Sequence, residues 1–164
     1  MKLNLVIESL DLVGVQVLAE RLVRWMPRRL TIGLVGTLGA GKTTLVQAIS
    51  RAVGVDVADV TSPTFTLLQS HRSGDQTLHH LDAYRVADED EFVELGVEEL
   101  FDDEQAWTLV EWADRVAGVM PPETLWLEMR IDQQPGLRTV EFRTSDRGLA
   151  DVLETALREM IPSG

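Results

Sequence analysis

Gly36-Thr37-Leu38-Gly39-Ala40-Gly41-Lys42-Thr43 follows the spacing Gly, four residues, Gly, Lys, Ser/Thr, the Walker A pattern of a phosphate-binding loop. Glycines let the backbone wrap a phosphate chain with its N–H groups turned inward. The N-terminus of a following helix adds partial positive charge. Gly39, Ala40, Gly41, Lys42, Thr43 and Thr44 are therefore candidate nucleotide-binding residues. Lys42 would reach the β- and γ-phosphates, which also makes it a catalytic candidate, and the Thr43 hydroxyl would ligate Mg²⁺. Of 15 basic residues only Lys2 and Lys42 are lysine. A chain that otherwise uses Arg keeps a compact ammonium where phosphates would sit.

Such a site needs a carboxylate at a strand end beside the loop, to hold the metal or its water. Asp82 ends Leu78-His79-His80-Leu81, and Glu111 ends Trp107-Thr108-Leu109-Val110. Glu111 has the more continuous apolar run behind it, as a central buried strand should. It is the favoured metal partner alongside Thr43, with Asp82 as a catalytic or water-positioning carboxylate, although the two roles could be exchanged. His79, His80 and Asp82 are a poor metal cluster, because adjacent residues on a strand point to opposite faces. Trp112 follows Glu111 directly; such a residue is more often core, the alternative being a place close enough to the site to sense nucleotide. The sole asparagine is Asn4, so the Asn-Lys-x-Asp guanine-reading motif is absent and ATP is favoured over GTP.

The elements that must position these residues are legible from pattern. Leu30–Val35 reads as an apolar strand entering the loop, and Thr44 to about Val53 as a helix leaving it, stopped by Gly54. Lys2–Ile7 alternates as a strand. Ser9 is a candidate cap for a helix from Leu10 to Trp25, with Leu12, Val15, Leu18, Ala19 and Leu22 on its buried stripe. Phe65–Gln69 and Thr77–Leu81 flank Ser73-Gly74-Asp75 as a hairpin. Leu125–Ile131 and Thr139–Arg143 do the same across Gln134-Pro135-Gly136. One or two short helices, broken near Gly96, and a closing helix from Gly148 to Met160 complete the pattern. Early strand–helix alternation followed by hairpins predicts a three-layer α/β fold of the P-loop NTPase type, with a mixed, mainly parallel sheet, formed by residues 1–164 as one domain.

Composition narrows the setting. There is no cysteine, which excludes disulfides and thiolate metal sites. No apolar run reaches the ~18 residues of a membrane span, and no signal peptide is apparent, so a cytoplasmic location is expected. The net charge is −12, and Asp88–Glu104 holds ten acids with no Lys or Arg. A chain this acidic repels a nucleic-acid backbone, so strong direct RNA or DNA binding is not expected.

Four ordered motifs carry a resemblance: Gly36–Thr44, then Ser62-Pro63-Thr64-Phe65-Thr66, then His80-Leu81-Asp82-Ala83-Tyr84-Arg85, then Val110-Glu111-Trp112. Glu94-Leu95-Gly96 also fits. Together, over roughly Leu30 to Met120, they resemble the TsaE family, also called YjeE, small bacterial ATPases of tRNA threonylcarbamoyladenosine formation. The resemblance implies a switch segment at Ser62–Thr66, with Thr64 near the γ-phosphate. It matches Asp82 to a carboxylate important for activity, and Glu111 and Thr43 to the Mg²⁺ site. The implied partners are TsaD and TsaB, with ATP hydrolysis resetting the complex between turnovers. The family commonly has Asp where Thr37 stands here. Arg85 is the nearest candidate for an arginine finger, and hydrolysis by the isolated chain is expected to be slow. A small-molecule kinase sharing the loop is the alternative, but the Arg-rich lid it needs is missing from the acidic stretch.

Overall fold

The structure is a computed structural model that describes residues 3–56, 60 and 67–161. In chain order the elements are β1 (Leu3–Leu10), α1 (Leu12–Trp25), β2 (Leu30–Val35), α2 (Lys42–Val53), β3 (Leu68–Ser73), β4 (Gln76–Asp82), α3 (Glu89–Val93), α4 (Val97–Phe101) and β5 (Ala106–Glu111). A 3₁₀ segment, Ala113–Val119, leads to β6 (Leu125–Ile131), β7 (Arg138–Thr144) and α5 (Arg147–Leu157). Among the described residues one sheet forms, in the order β1-β7-β6-β2-β5-β4-β3. The four central strands, β6, β2, β5 and β4, are mutually parallel. Hairpin partners add antiparallel strands outside them: β7 and β1 on one side, β3 on the other. The expected mixed sheet is thus parallel at its centre, where both faces are covered.

Strand alternation sorts the core into two layers. Ile32, Leu34, Leu78, Trp107, Leu109 and Leu127 face α1, α2 and α5 in the larger cluster. Leu81 and Val110 face the smaller cluster built with Phe92, Val97, Phe101 and Val116. On β4 and β5 this alternation turns Leu78, His80 and Asp82, and Trp107, Leu109 and Glu111, toward the face that carries α2. His79 goes to the other face, where Ser70 Oγ and Asp103 Oδ2 meet its ring nitrogens at 2.8 and 3.3 Å. The two histidines therefore separate as strand geometry requires.

The first helix differs from its sequence reading. Ser9 is not the cap: it sits within β1 at a left-handed φ of 57°, at a register shift between Ile7 and Leu10. Asp11 caps α1 instead, its Oδ1 accepting from Gly14 N–H at 2.7 Å. An N-cap needs an extended backbone with its side-chain oxygen over the first turn, and Asp11, at φ −86° and ψ −176°, meets that condition. Leu12 is 73% exposed rather than buried, whereas Val15, Leu18, Ala19 and Leu22 are all in the core. The first turn of α1 runs past the layer it covers. α5 begins at Arg147 on an Asp146 cap and tightens to a 3₁₀ turn at Arg158–Met160. The hairpin expected from Phe65 is described from Leu68, and its turn falls at Gly74-Asp75. Ser62–Thr66, Thr64 included, lies outside the described residues.

Candidate functional site

β2 delivers the chain to the sheet's C-terminal edge, where it turns through the glycine-rich loop into α2. Two glycines there have no substitute. A Cβ at Gly36 would stand 2.5 Å from the Met129 carbonyl oxygen of neighbouring β6. Gly41, at φ 104°, takes the left-handed conformation that starts α2. A cleft of about 430 Å³ opens over this turn, lined by Leu38, Gly39, Gly41, Lys42, Thr43, Thr44, Asp82, Tyr84, Glu111, Trp112 and Arg138. A larger cleft of about 560 Å³ opens at the opposite end of β2, among Trp25, Leu30, Phe101 and Leu149. The convergent polar groups, rather than the volume, mark the first as the functional candidate.

Lys42 is almost enclosed, 5% exposed, and its ammonium donates to the carbonyls of Gly36 at 2.6 Å and Thr37 at 3.0 Å. The same Nζ lies 4.0 Å from the centre of the Trp112 ring, a cation–π contact. Trp112 reaches it because the chain leaves β5 at a left-handed φ of 59°, a conformation that costs a non-glycine residue ~1–2 kcal/mol. Tyr84 packs on the indole with ring centres 4.8 Å apart. Burial holds the Lys42 pKa below its usual value, against the opposing pull of Glu111, Asp82 and Asp114.

Asp82 and Glu111 are register partners at the ends of parallel β4 and β5, 3% and 2% exposed. Their environments differ. The Thr43 hydroxyl donates to both oxygens of Glu111, at 2.9 and 3.2 Å. Asp82 Oδ1 instead accepts the Tyr84 N–H at 2.8 Å. A hydroxyl and a carboxylate converging on one point form the hard oxygen donor set that suits Mg²⁺. The geometry gathers Lys42, Thr43, Thr44, Asp82 and Glu111 in one cleft, and places Thr43 against Glu111. Ala40 is buried beneath the loop. The Thr37 side chain is exposed, while its carbonyl serves Lys42, so the departure at this position leaves the loop's internal bonding intact.

Two residues were not assigned from sequence. His80, buried, is 2.5 Å through Nε2 from Glu111 Oε2. It therefore grips the oxygen on which the Thr43 bond is longer, and its Nδ1 has no hydrogen-bond partner among the described residues. The neighbouring strand ends were the available signal, but only the β4–β5 pairing reveals the contact. Arg138 lines the cleft, whereas exposed Arg85 is not among its lining residues. Nothing local marks Arg138, which lies 98 residues from the loop carbonyl it contacts.

Known proteins resemble this chain in sequence and in fold. The family model for the threonylcarbamoyl adenosine biosynthesis protein TsaE matches residues 11–140, reaching beyond the Leu30–Met120 motif core at both ends. A tRNA threonylcarbamoyladenosine biosynthesis protein TsaE from Treponema pallidum is 37% identical over 98 residues, 60% of this chain and 70% of that protein. The protein of the same name from Haemophilus influenzae is 31% identical over 115 residues, 70% of each chain. The crystal structure of Bacillus subtilis YdiB superposes with a TM-score of 0.78 at 24% identity, covering 97% of both chains, which shows a shared fold.

Proposed function

The chain belongs to the TsaE family, and from that premise we propose that it is a Mg²⁺-dependent ATPase acting with TsaB and TsaD in threonylcarbamoyladenosine formation on tRNA. Hydrolysis would reset that complex between turnovers. The observation that carries the reading is the convergence of Thr43 and Glu111 beside Lys42 at the mouth of the phosphate loop. Magnesium, when bound, neutralises phosphate charge, and Thr43 and Glu111 are the residues that would hold it. Lys42 exchanges the carbonyls of Gly36 and Thr37 for phosphate oxygens, a stronger charge-assisted interaction for a buried ammonium. Gly39 to Thr44 supply backbone N–H groups and the α2 N-terminus to the anion, and Thr64 would stand near its terminal phosphate. His80 holds one oxygen of Glu111 and so orients the other. Asp82 orients the attacking water and accepts its proton. Its buried place beside Glu111, at the mouth of the same cleft, supports that role.

Acidity supports a protein partner over direct tRNA contact, because a net charge of −12 opposes a phosphate backbone. A tRNA-modifying role supports a cytoplasmic location. Among the described residues no helix is long and apolar enough to cross a membrane. The test is ATP turnover with and without purified TsaB and TsaD, followed by association in ATP and in ADP. Stimulation with nucleotide-dependent association is expected, and Lys42→Ala should abolish turnover. A rate unchanged in Lys42→Ala overturns the phosphate-site assignment. Turnover that depends on an added acceptor metabolite instead of the protein pair would make the chain a kinase.

A further inference from the structure

Arg138 opens β7 at the β6–β7 turn and flanks the phosphate loop at the edge of the cleft. Each nitrogen of its guanidinium meets a backbone carbonyl: Nε donates to Ala40 O at 3.1 Å, Nη2 to Gly39 O at 3.3 Å, and Nη1 to Leu137 O at 3.0 Å. Two of the three belong to the loop. In a trans peptide the carbonyl and the following N–H point in opposite directions. Drawing the Gly39 and Ala40 carbonyls toward β7 therefore turns the N–H groups of Ala40 and Gly41 to the concave side. Within the loop the Ala40 N–H closes a turn on Thr37 O at 3.0 Å. Beyond that turn bond and the burial of Ala40, little steadies this stretch. Gly39 and Gly41 are both left-handed, at φ 81° and 104°, and a Cβ placed at Gly39 would meet nothing within 4 Å. The Lys42 ammonium ties Gly36 and Thr37 from inside, but phosphate would draw it away.

We propose that Arg138 is a positioning residue, a strap from β7 that holds the phosphate loop with its amides turned toward the nucleotide. It acts through the loop, since Nε and both Nη nitrogens each donate to a backbone oxygen, two of them in the loop itself. Only a planar fork reaches these carbonyls together, so Lys is an incomplete replacement. The inference rests on the phosphate-site reading above and needs neither hydrolysis nor partner proteins.

The experiment compares Arg138→Met, Arg138→Lys and Arg143→Met with the wild type in three measurements: loop exchange, ADP affinity and steady-state ATP turnover. Arg143 lies on the same strand and pairs at the surface with Glu128 and Glu141, so it controls for general loosening of β7. Amide hydrogen exchange of residues 36–44 is followed in nucleotide-free protein, and ADP affinity is measured by calorimetry. Arg138→Met should exchange faster at the loop and bind ADP roughly tenfold more weakly, about 1.4 kcal/mol. Its KM for ATP should rise while kcat at saturation stays within about twofold. Arg138→Lys should recover part of the affinity, and Arg143→Met should match the wild type. ADP affinity and loop exchange unchanged in Arg138→Met overturn the strap, as does an equal loss in Arg143→Met. If Arg138→Met does not fold, wild-type values in Arg138→Lys overturn it. A wild type that binds no ADP removes the phosphate-site reading; the strap is then judged on loop exchange alone, and unchanged protection removes it too.

Discussion

Lys42 combines an ammonium, an aromatic face and three nearby carboxylates, and burial still outweighs them in setting its pKa. A buried cation suits a phosphate site, since a bound nucleotide adds negative charge to that of the nearby carboxylates. The sign of the consequence follows from linkage. Between the lowered folded-state pKa and the ordinary lysine value of 10.5, the unfolded chain holds more protons than the folded one. Wild-type stability relative to Lys42→Met should therefore rise with pH across that window. Urea unfolding of both proteins from pH 7 to 10.5 measures the difference, and a flat or falling trace removes the burial argument.

At the scale of elements, chain direction and capping do most of the positioning. β4 and β5 run parallel in register, so their final residues, Asp82 and Glu111, arrive side by side. α2 starts where the loop ends, which puts the Thr43 hydroxyl within reach of Glu111. α1 supports this frame by packing on α2, and its start depends on Asp11 rather than Ser9. Asp11→Ala should cost about 1 kcal/mol, the usual loss for an N-cap side chain. Ser9→Ala should change stability by less than about 0.5 kcal/mol, as its side chain caps nothing in the first turn. Chemical denaturation of the two variants separates them, and an equal loss in both would restore Ser9 to a capping role.

For the whole molecule, the parallel centre of the sheet carries the site and the antiparallel additions complete it. β6 shapes the loop through the Met129 carbonyl, and β7 contributes Arg138. Ligand binding at this junction should be felt globally. ADP with Mg²⁺ at a hundredfold its dissociation constant should stabilise the fold by about 2.7 kcal/mol. Glu111→Ala should bring that gain down to the value seen without metal. Thermal unfolding in ADP, with Mg²⁺ or with EDTA, reads both numbers. Metal-dependent stabilisation that survives in Glu111→Ala would take this carboxylate out of the metal site.

The chain's local patterns determined the Leu30–Val35 strand, the loop, the helix ending at Gly54, the separation of His79 from His80, and the mixed character of the sheet. These depend on periodicity, glycine placement and strand alternation, which act over a few residues. Local pattern was less decisive at helix starts, where Ser9 and Asp11 both had capping side chains and only backbone conformation chose between them. Tertiary structure alone decided that Thr43 meets Glu111 while Asp82 holds the Tyr84 amide, that His80 grips Glu111, and that Arg138 reaches the loop. Each of the inter-element contacts joins strands or helices whose neighbours are set by sheet order. No spacing within a single segment can encode which strand will lie beside it.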